Sequence, residues 1–389
     1  MSDVDRAQRV IRRKTKKQKV PKHLLDGHDS KEKIFLKTDN HRYHVLELLG
    51  QGGFGDVYKV IQTETKQNFA LKTEKSTDSV RKHSRLKIEM TVLKKVAESK
   101  ELIRKRHFVK IADRGKTSDF KFIVMELVGE SLSSLQQSRK SGTFDLLTAT
   151  FLAYQTAEAI DNLHFFGFVH RDVKPQNFTV NFGPNPRTIF MLDFGTSRAY
   201  IDRNKAMILP RKGVKFVGSP NYASITGLNQ KEQSRRDDFE SWLYMSTEFI
   251  NPELFTWRDA DTLQKMIDAK IRFMTGNSLA KSVPKQYVII RDYISKLKFE
   301  SAIDIDYIKR LLIKSQKLSS INECIMVMKE SQLGTMKLQM RKSAEQDQEE
   351  GSRGYTGSMT ITNDSTTDLT KTDGDADLVT VKTNEEHNS

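Results

Sequence analysis

The hydrophobic periodicity changes along the chain, and this change limits the folds that the chain can adopt. Between Tyr43 and Thr73 short runs alternate apolar and polar residues, which is typical of half-buried strands. From Leu86 onward apolar residues recur every three or four positions, which is typical of amphipathic helices. We therefore expect an α+β protein with a small β-rich lobe and a larger, mainly helical lobe. The pattern predicts strands over 43–49, 56–61 and 67–73, and helices over 86–97, 146–165, 237–249 and 261–273.

A glycine cluster joins the first two predicted strands. Gly50, Gly52, Gly53 and Gly55 allow a tight turn and a close approach of the backbone to phosphates. In a dinucleotide-binding turn the same spacing precedes a helix, whereas residues 57–61 have the pattern of a strand. The cluster favours a flap over a nucleotide, and a merely flexible turn is the alternative.

The third predicted strand carries a lysine that faces the same side as a small residue. Strand alternation places Ala70 and Lys72 on one face, and Phe69 and Leu71 on the other. Lys72 can therefore point into a cleft and neutralise phosphate, with Glu89 of the next helix as its partner. The alternative is an exposed ion pair of little consequence.

The most specific segment is His170-Arg171-Asp172-Val173-Lys174-Pro175-Gln176-Asn177, followed by Asp193-Phe194-Gly195. Phosphoryl transfer needs a carboxylate that orients the attacking hydroxyl, oxygen ligands for Mg²⁺ and cations that spread the phosphate charge. Asp172 can accept the hydroxyl proton and Lys174 can contact the transferring phosphate. Asn177 and Asp193 can hold magnesium.

With these motifs in this order, the chain resembles the eukaryotic protein kinases over residues 43–316. Lys174 matches their serine/threonine pattern, Ser219 stands where a hydroxyl bridges the catalytic aspartate and lysine, and Asp238 matches an aspartate that braces the catalytic loop. The resemblance implies a bilobal kinase fold that uses ATP and Mg²⁺. The implied catalytic residues are Lys72, Glu89, Asp172, Lys174 and Asn177, and the implied metal ligands are Asn177 and Asp193.

The resemblance also implies a nucleotide site. Met125 would be the gatekeeper, although an ordinary core methionine is the alternative, and Glu126 and Val128 would offer main-chain groups to adenine. The residues expected to bind the nucleotide are Leu49, Gly50, Gln51, Gly52, Gly53, Phe54, Gly55, Asp56, Val57, Ala70, Lys72, Met125, Glu126 and Val128.

The stretch that replaces the usual Ala-Pro-Glu resembles the casein kinase I group. Here residues 218–225 read Gly-Ser-Pro-Asn-Tyr-Ala-Ser-Ile, and residues 234–241 read Ser-Arg-Arg-Asp-Asp-Phe-Glu-Ser. Gly142-Thr143-Phe144 and Trp257-Arg258 are most similar to the tau-tubulin kinase-like branch. Asn221 departs from the pattern, because relatives usually have an arginine that helps to bind phosphate. A preference for phosphorylated substrates therefore does not carry over.

The net charge of +15 belongs to the middle of the chain. Residues 1–40 carry +6 and residues 341–389 carry −6, and both have too few apolar residues to fold, so we expect disordered ends. We expect a kinase domain over 41–316, with lobes 41–127 and 128–316, and an extension over 317–340. The basic domain favours acidic or phosphorylated protein substrates.

The predicted activation segment lacks any residue that could be phosphorylated. Residues 202–218 contain no Ser, Thr or Tyr, so we expect activity without phosphorylation of this loop.

Residues 351–389 contain 13 Ser and Thr. One hypothesis is that this tail docks on the basic surface and inhibits the enzyme, and a solvated tail without a regulatory role is the alternative.

Several other classes of protein are disfavoured. One cysteine excludes an internal disulfide, and no apolar run approaches a membrane span. A nucleic-acid-binding protein is a rival suggested by charge alone, but no module for it is recognised. A pseudokinase scaffold would not need the six residues placed above in transfer chemistry. We expect a cytoplasmic monomer. Its basic N-terminal arm, residues 1–40, allows nuclear entry, binds microtubules or is simply solvated.

Overall fold

The computed structural model describes residues 34–52, 55–75, 84–117, 119–181 and 188–316, and the backbone strand 378–380. Within these residues a curled β-sheet precedes a helical lobe, which confirms the α+β bilobal prediction. The predictions for 1–33, for the extension 317–340 and for nearly all of the tail fall outside the described residues.

Seven strands form the sheet of the N-terminal lobe, in the order β11-β1-β2-β3-β4-β6-β5. Neighbouring strands are antiparallel, except that β11 runs parallel to β1. The strands are β1 (Phe35–Lys37), β2 (Arg42–Gln51), β3 (Asp56–Gln62), β4 (Asn68–Lys75), β5 (Ile111–Lys116), β6 (Phe120–Glu126) and β11 (Leu378–Thr380).

The two faces of this sheet belong to different hydrophobic cores. Phe69 and Leu71 of β4 pack with Tyr43 and Phe122 in a core confined to the sheet. Ala70 points the other way and joins the core that continues through the helical lobe. The alternation predicted for β4 is therefore present, and it directs Lys72 toward the space between the lobes.

One helix accompanies the sheet, and the others build the C-terminal lobe. The helices are α1 (Arg85–Glu98), α2 (Leu132–Gln137), α3 (Leu146–Phe165), α4 (Ile225–Leu228), α5 (Arg235–Glu248), α6 (Leu263–Thr275), α7 (Ser278–Ser282), α8 (Lys285–Lys296) and α9 (Ile305–Ser315). Short strand pairs also lie here, namely β7 (Phe168–Val169) with β10 (Arg198–Ala199), and β8 (Phe178–Val180) with β9 (Ile189–Met191).

The central helices begin at residues that satisfy their first free amides. Asp145 accepts a hydrogen bond of 3.0 Å from the Thr148 amide, so α3 begins where the periodicity predicts. Ser234 and Asp237 form a capping box, so α5 begins two residues before the predicted start. The indole Nε1 of Trp242 donates to the Ala153 carbonyl at 3.1 Å and ties α5 to α3. Among the described residues, no helix is long and apolar enough to cross a membrane.

Candidate active site

A cleft of about 510 Å³ lies between the two lobes. Eleven of the predicted nucleotide-binding residues line it, namely Leu49, Gly50, Gln51, Gly52, Gly55, Val57, Ala70, Lys72, Met125, Glu126 and Val128. Gly53 and Phe54 lie outside the described residues. Asp56 differs from this prediction, because its buried carboxylate accepts from the Tyr58 hydroxyl at 3.2 Å and does not line the cleft. Its position favours a role within the sheet.

The glycine turn is narrow because β4 passes directly beneath it. A Cβ atom on Gly55 would lie 1.7 Å from the Thr73 carbonyl oxygen, so only glycine fits this position. The Gly52 amide donates to the Gly55 carbonyl at 2.9 Å and closes the turn. Backbone groups of the turn can therefore approach a ligand in the cleft closely.

Lys72 is held between two carboxylates at the back of the cleft. Its Nζ lies 2.6 Å from Glu89 of α1 and 3.0 Å from Asp193. Desolvation would lower the pKa of Lys72, but the two carboxylates outweigh it and raise the pKa. Desolvation would likewise raise the pKa of Asp193, but Lys72 brings it down to about 2. Both groups are therefore charged at neutral pH.

Glu74, also on β4, fixes the start of α1. Its buried carboxylate accepts from the Arg85 amide at 2.8 Å and from the hydroxyl of Ser84, the residue that caps α1. A carboxylate at this end also complements the positive end of the helix dipole. Since α1 carries Glu89, this contact helps to set the distance between Glu89 and Lys72.

Asp193 faces the cleft because the next residue is anchored in the core. The Phe194 ring is fully buried, with its centroid 5.6 Å from the rings of Phe108 and His170. Asp193 itself has a left-handed backbone conformation, with φ of 60°. The turn thus buries the aromatic ring on one side and presents the carboxylate to Lys72 on the other.

The catalytic loop is fixed through Asp238 of α5, as the resemblance implied. This carboxylate accepts from the His170 amide at 2.7 Å, from the Arg171 amide at 2.8 Å and from His164 Nε2 at 2.8 Å. Burial would raise the pKa of Asp238, but the bond from His164 and the neighbouring charges lower it. An ionised, fully bonded carboxylate therefore holds the backbone just before Asp172.

Asp172, Lys174 and Ser219 lie together beside Asn177, which lines the cleft and bonds the Asp172 carbonyl. Lys174 Nζ donates to Asp172 Oδ2 and to Ser219 Oγ, both at 2.8 Å. Asp172 Oδ1 is buried and has no hydrogen-bond partner among the described residues. This oxygen can accept a proton from a hydroxyl that enters the site.

The polar groups beside Asp172 fit a magnesium ion whose remaining ligands are waters and phosphate oxygens. Asn177 donates Nδ2 to the Asp172 carbonyl at 2.8 Å, which leaves its amide oxygen for a cation, and Asp193 lines the same cleft. The described residues contain no cluster of three or more His, Cys, Asp or Glu that could cage a metal. Mg²⁺ needs no such cage, because it keeps waters and binds phosphate oxygens beside one or two protein ligands.

The sequence model of the family described as "Protein kinase domain" matches residues 43–341. The chain belongs to this family. Three relatives support this membership. Serine/threonine-protein kinase spe-6 of Caenorhabditis elegans is 32% identical over 257 residues, which are 64% of this chain and 65% of the relative. A probable serine/threonine-protein kinase of Dictyostelium discoideum is 30% identical over 70% of this chain and 53% of its own length.

A putative serine/threonine-protein kinase of Caenorhabditis elegans is 32% identical over 243 residues, which are 61% of this chain and 70% of the relative. The chain thus spans between about half and two thirds of the length of the first two relatives. The site residues named above all lie inside the stretch that the family model matches.

In this kinase domain the segment after Ser219 is anchored through its backbone. Lys270 of α6 is fully buried, and its Nζ donates to the Pro220 carbonyl at 3.0 Å and to the Ala223 carbonyl at 2.5 Å. Trp257 Nε1 donates to the Asn221 carbonyl at 2.8 Å. Burial lowers the pKa of Lys270 to about 7. These donors hold residues 219–223 in one position beside Lys174.

Sequence reasoning missed Glu74, Lys270 and the anchoring role of Trp257. Glu74 follows Lys72 by two positions on a strand, so the alternation that found Lys72 could have found it. Lys270 occupies one turn of an amphipathic helix, where a lysine ordinarily faces solvent. Its role depends on a carbonyl pair some 50 residues earlier in the chain, and no local pattern signals such a contact.

Proposed function

We propose that this protein is an ATP-dependent protein serine/threonine kinase that uses Mg²⁺. The observation that carries the proposal is that two sets of charged groups lie at one cleft. Lys72 and its partner Glu89 line the cleft, and Asp172 with Lys174 adjoins Asn177, which lines the same cleft. The names of the relatives support the choice of serine and threonine as acceptors.

The arrangement supports direct transfer to a hydroxyl. The hydroxyl oxygen of a substrate serine or threonine would attack the γ-phosphorus, and its proton would pass to Asp172 Oδ1. The bond from phosphorus to the bridging oxygen would break, and ADP would leave. Lys174 would offset charge on the transferring phosphate, and Lys72 would hold the other phosphates.

The metal has a restricted part in this proposal. When bound, Mg²⁺ would neutralise charge on the phosphate oxygens, held by the amide oxygen of Asn177 and the carboxylate of Asp193. Asp193 supports this role, because its low pKa keeps the carboxylate ionised near neutral pH.

The test is Asp172→Asn in the full chain, with Asp268→Asn on the exposed side of α6 as the matched control. We expect the Asp172 variant to keep its affinity for ATP, measured by thermal shift, while phosphorylation of a peptide falls by about 100-fold or more. The Asp268 variant should match the wild type. A wild type that binds ATP but transfers no more phosphate than the Asp172 variant would favour the pseudokinase scaffold.

For substrates, we propose acidic peptides and membership of the casein kinase I group, nearest the tau-tubulin kinase-like branch. Exposed cations in the segment before Ser219 support the preference for acidic peptides. They are Arg203, Lys205, Lys212 and Lys215. A peptide library that varies acidic and pre-phosphorylated positions independently tests it. Acidic residues should improve kcat/KM, and a library without that preference would contradict the proposal.

We propose further that the protein is a cytoplasmic monomer whose basic arm directs nuclear entry or binds the cytoskeleton. The cluster Arg12-Arg13-Lys14 and the positive charge of the arm support this. Deleting residues 1–22 should change the location of the protein in cells, and sedimentation should give a single chain.

Truncation after Met340 should raise peptide kinase activity if the acidic tail inhibits, and unchanged kinetics would end that hypothesis.

A further inference from the structure

One buried carboxylate outside the cleft is surrounded by three arginines. Glu232, in the loop before α5, has a side chain that is only 5% exposed. Arg211 donates its Nε and Nη2 to the two carboxylate oxygens, at 2.5 and 3.1 Å. Arg198 Nε lies 3.5 Å from Glu232 Oε1, and Arg171 Nη1 lies 4.0 Å from the same oxygen. We call these four residues the Glu232 cluster.

The three arginines come from three different parts of the phosphoryl-transfer machinery. Arg171 directly precedes Asp172 in the catalytic loop, and Arg198 follows the Asp193-Phe194-Gly195 turn. Arg211 lies within the activation segment, residues 202–218, which leads to Ser219. Burial alone would raise the pKa of Glu232, but the bonds from Arg211 and the charge of Arg198 lower it, so the carboxylate is ionised.

The activation segment returns to the catalytic loop with almost no spare room. Gly218 has a φ of 98°, and a Cβ atom placed on it would lie 2.5 Å from the Arg171 carbonyl oxygen. The end of the segment therefore rests on the residue before Asp172. Whatever fixes the segment also fixes Ser219, which is bonded to Lys174.

An activation loop is commonly ordered by a phosphate that pairs with arginines. Residues 202–218 contain no Ser, Thr or Tyr, so this segment cannot supply that phosphate itself. We propose that Glu232 is the permanent anion of this site, and that it is a positioning residue which holds the activation segment against the catalytic loop. The inference rests on the proposed kinase function and adds a reason for activity without loop phosphorylation.

A matched control exists on α3. Glu158 of α3 is a carboxylate that also receives two bases, namely Arg106 and Lys309 at 2.8 Å, and it is 15% exposed. Among the described residues, its hydrogen-bond and ion-pair partners all lie outside the activation segment. Removing it should destabilise the fold in a similar way without moving Ser219.

The experiment compares Glu232→Ala, Glu232→Gln and Glu158→Ala in the full chain. We expect both Glu232 variants to lose about 10- to 100-fold in kcat for a peptide while the KM for ATP changes little, because a misplaced segment affects the transfer step. Added inorganic phosphate or sulfate should restore part of kcat in Glu232→Ala, where the removed side chain leaves space between the arginines. Neither anion should rescue Glu232→Gln, whose amide fills that space.

A second measurement does not depend on activity. Trypsin should cleave after Arg211 or Lys212 faster in both Glu232 variants than in the wild type, and phosphate should slow this cleavage in Glu232→Ala only. Unchanged kcat in the Glu232 variants, loss of kcat without any anion effect, or an equal loss in Glu158→Ala would each overturn the proposal. If the wild type transfers no phosphate, the proposed function fails, while the cleavage pattern still reports whether Glu232 anchors the segment.

Discussion

Two ion clusters in this kinase domain have opposite polarity. At Lys72 two carboxylates hold one ammonium group, and at Glu232 three guanidinium groups surround one carboxylate. The ion at the centre of each cluster differs in exposure, because the Lys72 side chain is 23% exposed and the Glu232 side chain is 5% exposed. We call the Lys72 cluster open, because its central ion can still meet a ligand, and the Glu232 cluster closed, because its central ion can only hold parts of its own chain together. Exposure thus separates the groups proposed to act on ATP from those proposed to position the loops.

The largest effect expected from this comparison is at the open cluster. Lys72→Met should lower kcat by about 100- to 1,000-fold, because a cation aimed at the phosphates is lost. It should lower the thermal midpoint only modestly, because burial raises the pKa of Glu89, and Glu89 can take up a proton once its partner is gone. Lys59→Met is the control, since Lys59 lies on the neighbouring strand and pairs with the half-exposed Glu47. Peptide phosphorylation and calorimetry measure the two quantities. A large loss of stability without a loss of kcat would contradict the distinction.

At a closed contact we expect a large effect on stability and a small effect on kcat. Lys270→Met removes a buried donor from two carbonyls, and each unsatisfied buried group costs about 1 to 3 kcal/mol. We therefore expect a lower free energy of unfolding, together with a raised KM for the peptide and an unchanged KM for ATP. Lys265→Met, on the exposed face of the same helix, is the control. A raised KM for ATP would show that the two sides of the cleft are not separable in this way.

A closed contact that belongs to neither cluster should affect stability alone, and only below neutral pH. His107 is fully buried, donates Nδ1 to the Ile189 carbonyl at 2.7 Å and accepts from Arg106 at Nε2, which fits a neutral ring. Burial lowers the pKa of His107 to about 3. In the unfolded chain the ring takes up a proton near pH 6.5, so the folded state loses stability as the pH falls.

The expected loss from His107 is about 2 kcal/mol between pH 7 and pH 5. Urea unfolding at a series of pH values measures it, and His107→Gln should remove that part of the slope. An identical slope in the variant would show that other groups cause the pH dependence.

The smallest effect is expected at an exposed pair. Lys265 Nζ, on the first turn of α6, lies 2.9 Å from Asp261, which precedes the helix, and water screens both charges. Asp261→Asn should therefore leave the thermal midpoint and kcat unchanged within measurement error. A clear loss in either quantity would weaken exposure as the criterion that separates these sites.

Local patterns were sufficient for the elements that build the cleft. Alternation in β4 predicted the direction of Lys72, and helical periodicity predicted α3 with both of its ends. The start of α5 was predicted less accurately, because the pattern of apolar residues does not include its capping box. For α5 the box of Ser234 and Asp237 moved the start to Arg235.

Asp56 shows where proximity in sequence misled the interpretation. It follows Gly55 directly, and the resemblance placed it among the nucleotide-binding residues. In the folded sheet its carboxylate turns inward to the Tyr58 hydroxyl, two residues along the same strand. Neighbouring residues on a strand face opposite sides, so a residue beside the glycine turn need not share its cleft.

The sequence alone determined that this chain has two lobes, and it predicted which side chains serve phosphoryl transfer, because periodicity and motif spacing are local properties. Only the tertiary structure decided that Lys270 anchors residues 220–223 and that Glu232 gathers Arg171, Arg198 and Arg211. Both contacts join residues far apart in the chain. Both also bury a charge, and a buried charge is stable only with partners at hydrogen-bond or ion-pair distance. Such a partner is chosen by the packing of the whole lobe.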